Sequence, residues 1–436
     1  MKSRTPVVPP LSLWGGIECS MVRVGDTWRD QLRETGHYDR PEDLDTIAAL
    51  GLRTLRYPVL WEHVAPRHPA ERDWHWHDDR LQRLLSLGVA PIAGLVHHGS
   101  GPRYTSLADP GFGEGLARHA AAVARRYPWI ADWTPVNEPL TTARFSGLYG
   151  HWYPHQRDPY LFLRMVANQC HATLLAMRAI RREVPHARLV QTEDIGKTFA
   201  TSRLAYQAEH DNARRWLSFD LLCGHLDRNH PWWNNLLEAG VPQRQLEDLL
   251  SGEAAPALIG VNHYATSDRF LDDRISLYPP ALRGGNGQER YVDTEAVRVL
   301  TGEGLGWSAR LQEVWERYRL PLAATEIHLG DGEAEQIRWL HEAWQAAVAL
   351  RAQGVDMRAA TVWALFGSMD WNSLLTGKAG HYEPGAFDAR HSPPRATLLA
   401  EAVSALAQTG HFSHALLADE GWWRREDRLH VRVARG

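Results

Sequence analysis

In Trp133-Thr134-Pro135-Val136-Asn137-Glu138-Pro139 a short apolar run stops abruptly at Asn-Glu-Pro. The pattern predicts a buried strand that delivers a carboxamide and a carboxylate to a loop. Leu322-Ala323-Ala324-Thr325-Glu326 has the same design, an apolar strand with a carboxylate at its end. Two carboxylates at the mouth of one scaffold are the minimum equipment for cleaving a glycosidic bond.

On either side of these stretches, strand-like and helix-like segments alternate. Strands are expected at 11–18, 53–57, 89–97, 133–137, 188–193, 258–263, 321–325 and 359–365. Helices are expected at 41–50, 78–87, 114–127, 161–183, 309–319, 333–353 and 396–407, with 203–251 mostly helical. Strands apolar on both faces, each followed by a helix, imply a parallel sheet covered by helices. Eight such units predict a closed (β/α)8 TIM barrel of the α/β class, a single domain over residues 1–410 with long βα loops. A doubly wound open sheet is the alternative, but no Gly-x-Gly-x-x-Gly follows the first strand. Residues 265–305, with Gly284-Gly285-Asn286-Gly287, read as a long surface loop over the site. The charged, tryptophan-bearing tail 411–436 finds no place in this scheme.

In such a barrel the residues at the C-terminal ends of the strands converge on one pocket. In chain order those ends carry Glu18, Arg56, His97 and His98, Asn137 and Glu138, Glu193 and Asp194, Asn262 and Tyr264, Glu326, and Trp363. An inert scaffold has no reason to place polar groups there so regularly.

Composition bounds the alternatives. The 436 residues are 44% hydrophobic and 23% charged, the balance of a soluble globular protein. A net charge of −4 implies no attraction to nucleic acid or anionic membrane. No apolar run is long enough to span a membrane. Prolines stand where the apolar core of a secretory signal would be, so a cytoplasmic location is expected. Cys19, Cys170 and Cys223 are too few and too scattered for a disulfide framework or a zinc site. His75, His77, His97 and His98 lack metal-ligand spacing, so no metal and no cofactor is expected. Of 19 tryptophans, Trp14, Trp61, Trp363 and Trp371 lie near strand ends. Their indoles can pack on sugar rings or simply fill core.

The motifs resemble those of glycoside hydrolase family 1, the retaining β-glycosidases. Thr134-Pro135-Val136-Asn137-Glu138-Pro139 is similar to the family's Thr-Phe-Asn-Glu-Pro acid/base motif, with one residue more between Thr and Asn. Ala324-Thr325-Glu326 resembles its Ile-Thr-Glu-Asn-Gly nucleophile motif. Leu55-Arg56-Tyr57 with Trp61, Leu95-Val96-His97, Gly260-Val261-Asn262-His263-Tyr264, and Trp363-Ala364-Leu365 with Asp370-Trp371 resemble four further motifs, in the family's order. Ile327 and His328 replace the family's Asn-Gly, Asp370 replaces a glutamate, and Glu18 stands near the missing Tyr-Gln. Trp14-Gly15-Gly16-Ile17-Glu18-Cys19 and Gly380 to Asp388 also resemble the glycosidase-like half of bacterial fusions with dTDP-4-dehydrorhamnose reductase.

The resemblance implies Glu326 as nucleophile and Glu138 as acid/base, about 5–5.5 Å apart as retention requires. It implies that Arg56 and Tyr264 hold Glu326, and that Asn137 bonds the sugar 2-hydroxyl. His97, Asn262, Glu18, Asp370, Trp363 and Trp371 then complete the wall around a small glycoside or oligosaccharide. Ser373, Lys378 and Tyr382 offer a weaker sugar-phosphate reading. A transglycosidase and a non-catalytic sugar-binding module remain as alternatives, and the sequence does not give the oligomeric state.

Overall fold

The structure, a computed structural model, describes residues 10–302 and 304–429. Eight parallel strands close a barrel: β1 (Ser12–Gly16), β2 (Thr54–Pro58), β3 (Ala90–Gly94), β4 (Asp132–Thr134), β5 (Arg188–Asp194), β6 (Leu258–Asn262), β7 (Leu322–Ile327) and β8 (Met357–Val362). They pair in chain order, and β1 closes the ring on β8 and β2. Helices α1 (Asp43–Ala49), α2 (His75–Ser86), α3 (Phe112–Arg126), α4 (Pro159–Glu183), α5 (Trp307–Tyr318), α6 (Glu333–Ala352) and α7 (Leu398–Thr409) form the crossovers. Four short helices, from Ala205–Arg214 to Gln243–Leu249, fill the connection from β5 to β6. The expected (β/α)8 barrel is the fold.

The lower half of the barrel is apolar. Ile92, Val190, Leu258, Ala323 and Ala359 pack there with Trp14. Alanines on β7 and β8 leave room for that indole, the large-against-small filling that barrel interiors use. Trp14 is thus part of the floor and faces no sugar. Trp61 is likewise core: it stacks on His119 and packs on Phe112 and Tyr104.

Four of the expected strands end two or three residues early, and the reason is chemical. β4 stops before Pro135, which has no N–H for the ladder. Beyond it the chains stay side by side through Leu95 N–H to Thr134 O, Val96 N–H to Pro135 O and Asn137 N–H to Val96 O. β3 ends at Gly94, yet His97 and Asn137 still pair as an isolated bridge. β1 ends at Gly16, before Glu18, and β8 at Val362, before Trp363. These irregular ends free side chains to turn into the barrel mouth.

Two expectations are corrected. Residues 265–305 are not one loop. They carry strands Arg269–Asp272, Arg283–Gly285 and Arg290–Glu295, which join Thr198–Ala200 in a four-stranded sheet. Gly287 takes a positive φ of 87° at the hairpin tip, where a side chain would be strained. The strands are short and carry many charged residues, so their alternation is faint in the sequence. The tail, as far as Leu429, does have a place. Trp423 is buried, meets Trp339 of α6 edge-on at 4.9 Å, and donates its indole N–H to Glu342 at 2.7 Å. Arg428 donates to the carbonyls of Val297 and Leu300.

We expect Trp423→Ala to cost about 3–5 kcal/mol of stability, the range for emptying a buried aromatic site. Urea unfolding monitored by circular dichroism measures it; an unchanged midpoint would mean that the tail does not hold α6.

Candidate active site

The mouth of the barrel is polar where its floor is apolar, and one cation organises it. Arg56 on β2 points inward from a strand buried on both faces. Its Nη1 donates to Glu326 Oε1 at 2.8 Å and to the Thr325 carbonyl at 2.7 Å. Its Nη2 donates to Asn137 Oδ1 at 2.7 Å. The guanidinium therefore ties the end of β7 to the loop after β4. Its carbon lies 4.5 Å from the Trp363 ring centre, a cation–π contact.

Glu326 is presented by an irregularity: the register between β7 and β6 shifts between Ala324 and Glu326. Such a shift re-aims side chains at barrel rims. Tyr264 donates its hydroxyl to Glu326 Oε2 at 2.5 Å. Both carboxylate oxygens are thus held from different sides.

Glu138 sits on a strained backbone, with φ 46° and ψ 62°, at the start of the short helix Pro139–Ala143. A non-glycine residue in this region costs free energy and is a feature of functional sites. Glu193 at the end of β5 accepts the N–H groups of Leu140 and Thr141, at 2.8 and 3.1 Å, and so anchors that helix. Its strand-end carboxylate is spent on structure. Asn262 pairs in register with Glu326, and its Nδ2 donates to Glu138 Oε1 at 2.6 Å. Thr325 fixes the orientation of that amide by donating to Asn262 Oδ1 at 2.7 Å. One residue beside Glu326 thereby reaches Glu138, and the two glutamates share one hydrogen-bonded network.

Their electrostatic surroundings differ. Glu138 and Glu326 are only 3% and 2% exposed. Burial raises the Glu138 carboxyl well above its ordinary range, and the negative charges of Glu326, Glu193 and Asp194 push it further; the Asn262 bond opposes them. Burial raises Glu326 too, but the Arg56 charge and the Tyr264 and Arg56 bonds pull it back. Among the described residues the one ion-pair contact of Glu138 is with His98, at 3.7 Å. Burial and the Arg56 charge lower that imidazole to about 3, so it is neutral near pH 7. The proton of the pair therefore belongs on Glu138.

Asn137 accepts from Arg56 and from Thr192, and its Nδ2 lies 3.3 Å from His97 Nε2. His97 stacks on Trp363 with ring centres 5.3 Å apart. Trp363 donates its N–H to Glu18 Oε2 at 3.1 Å, and Glu18 Oε1 accepts the Ser20 N–H at 2.8 Å. Asp370 accepts Arg29 Nη2 on one oxygen and the His381 N–H on the other, both at 2.8 Å. Trp371 lies beside His98, and its buried indole N–H has no partner. His98 is among the strand-end residues that the sequence points to the pocket, but without a role; Thr192, Thr325 and Arg29 join the site without any signal in the sequence as site residues.

The sugar-phosphate triad does not assemble. Tyr382 donates to the Phe366 carbonyl and accepts the Ala389 N–H, Ser373 bonds the Asp370 carbonyl, and Lys378 is exposed.

No family model matches the chain. It is 22% identical over 426 residues to β-glucosidase 47 of Arabidopsis thaliana, covering 88% of this chain and 77% of that protein. It is 22% identical over 373 residues to β-glucosidase A of Thermotoga maritima, covering 77% and 78% of the two chains. The solved family 1 β-glucosidase from Thermotoga maritima superposes with a TM-score of 0.72 at 17% identity, over 93% of this chain and 99% of that one. The chain is a homologue of these β-glucosidases. It shares the barrel of the solved Thermotoga maritima enzyme over nearly its whole length, while differing from it at most positions.

Two outcomes follow from the buried charges. Arg56→Met leaves Glu326 buried without its cation and should cost about 3–5 kcal/mol, read from urea midpoints. Burial pushes Glu62 up to about 8 and Glu193 up to about 7. A carboxyl raised on folding binds its proton more tightly in the native state, so stability is complete below its unfolded value and is lost as pH rises through 7 to 8. Urea midpoints should fall between pH 5 and pH 9, and fall less in Glu62→Gln; equal slopes would contradict this.

Proposed function

We propose that this chain is a family 1 glycosidase that hydrolyses the β-glycosidic bond of small glycosides with retention of configuration. The observation that carries the reading is the unequal treatment of two carboxyls in one network. Glu326 is gripped by a cation and a phenol, and Glu138 is kept protonated by burial and by the neighbouring negative charge.

The chemistry follows from that inequality. The Glu326 carboxylate attacks the anomeric carbon while Glu138 gives its proton to the leaving oxygen. The glycosyl ester so formed has no charge on Glu326. The repulsion that raised Glu138 is then gone, its pKa falls, and it can take a proton from water. Water attacks the anomeric carbon, the ester bond breaks, and Glu326 regains its charge. Arg56 steadies that carboxylate as it leaves, and Tyr264 follows its second oxygen. Asn137 has its Oδ1 occupied, so Nδ2 is the atom left to donate to the 2-hydroxyl, a bond that strengthens in the transition state. Asn262 acts on Glu138 rather than on the sugar, and Asp370, held by Arg29 and by backbone N–H groups, is an acceptor for a ring hydroxyl. Trp371, beside His98, has a buried indole N–H without a partner. Three free cysteines fit work in a reducing cytoplasm. Among the described residues no helix is long and apolar enough to cross a membrane.

Incubation with 2-fluoro β-glycosides should trap a covalent adduct on Glu326, seen as a mass shift on its peptide. Glu326→Gln should lower kcat on 4-nitrophenyl β-glucoside by on the order of 10³-fold or more. An unlabelled Glu326, or full activity in the variant, would remove it as nucleophile. The kcat/KM profile should be bell-shaped, with the acid limb set by Glu326 and the alkaline limb by Glu138, both above ordinary carboxyl values.

A further inference from the structure

Glu18 has no role in the steps above, yet it is a buried carboxylate in the wall of the same site. It lies just beyond β1, 4% exposed, and its charge is felt by Glu326 and by Tyr264. Its oxygens accept one bond each, from Ser20 N–H and from the Trp363 indole. Gly16 makes the second bond possible, because a Cβ there would run into the Trp363 ring. Among the described residues no cation forms an ion pair with Glu18.

The surrounding charges leave this carboxylate uncompensated. Arg56 borders Trp363 but spends its donors on Glu326, Thr325 and Asn137. Arg29, on the hairpin after β1, spends its own on Asp370, Glu34 and the Leu375 and Gly377 carbonyls. Neither of these two guanidinium groups is left to receive an anion beside Glu18. Each Glu18 oxygen keeps a lone pair that can accept from an N–H or O–H of a bound ring. Hydrogen bonds to a charged acceptor are the stronger kind, most of all when the donor is a cation.

We propose that Glu18 sets the charge selectivity of the glycone site: it admits neutral rings, favours rings bearing a protonated nitrogen, as in amino sugars, and excludes phosphorylated or carboxylated ones. This rests on the glycosidase reading for where the ring lies. In a buried site one added negative charge some 5–6 Å from a ligand charge is worth a factor of ten or more, whereas a neutral ligand feels only the lost hydrogen bond.

The test is calorimetric binding of deoxynojirimycin, cationic when protonated, and of glucose, to wild type, Glu18→Gln and Glu18→Asp. Glu18→Gln should weaken deoxynojirimycin by about ten-fold and glucose by less than about three-fold, while Glu18→Asp, which keeps the charge, should retain the preference. Equal loss for both ligands in Glu18→Gln would reduce Glu18 to a support for Trp363, and loss for neither, or no binding by wild type, would overturn the proposal. In parallel, the kcat/KM ratio of 4-nitrophenyl β-glucoside to its 6-phosphate should fall about ten-fold in Glu18→Gln. If the binding preference follows the Glu18 charge but no β-glycoside is turned over, the selectivity stands and the hydrolytic reading falls.

Discussion

The contact between Arg56 and the carboxylate of Glu326 is the constraint on which the mouth of this barrel depends. Burial raises the Glu326 carboxyl, and the Arg56 charge and bond are what pull it back toward the ionised form that the proposed reaction needs. A buried guanidinium without an acceptor would itself be costly. Each therefore requires the other, and the pairing requires β2 and β7 to face each other across the barrel. The same guanidinium reaches Asn137. It thereby sets where the loop after β4 lies, and with it the backbone that turns Glu138 inward.

The support of Glu138 is distributed differently. Its strained φ is held by the Pro139–Ala143 helix, which Glu193 anchors from β5. Its side chain is held by Asn262 from β6, which Thr325 of β7 orients in turn. Four strands thus converge on one carboxyl, and none of them supplies a positive charge close enough to ionise it. Glu138 and Glu326, carried by strands three apart in the ring, are thereby given different electrostatic surroundings.

The site also departs from the motif pattern it resembles. A histidine, His98, borders Glu138, a carboxylate, Glu18, backs Trp363, and an aspartate, Asp370, is bound to Arg29. All three lie around the hydrogen-bonding groups that a ring would meet, and none touches the Arg56–Glu326–Tyr264 unit directly by hydrogen bond. The Arg56–Glu326–Tyr264 unit and these three groups therefore form separate hydrogen-bonded clusters.

The alternation of apolar strands with amphipathic helices was enough, without coordinates, to fix eight βα units and a closed barrel. The motif stretches named Glu138, Glu326, Arg56 and Tyr264, because strand ends in a barrel are forced to converge. Strand limits were less legible: Pro135 and the glycines at strand ends stop the ladder before the polar residues arrive, which propensity does not register. The sheet formed with residues 269–295 and the docking of Trp423 were not legible at all, since each depends on a partner far away in the chain. What the sequence determined by itself was the scaffold and the two glutamates offered as the acids of the proposed reaction, both carried by local periodicity and short motifs. Only the tertiary structure decided how differently the two carboxyls are surrounded, that Asn262 bonds Glu138, and that Glu18 has no ion-paired cation among the described residues, because electrostatics and hydrogen bonding depend on neighbours that the chain brings together across the barrel.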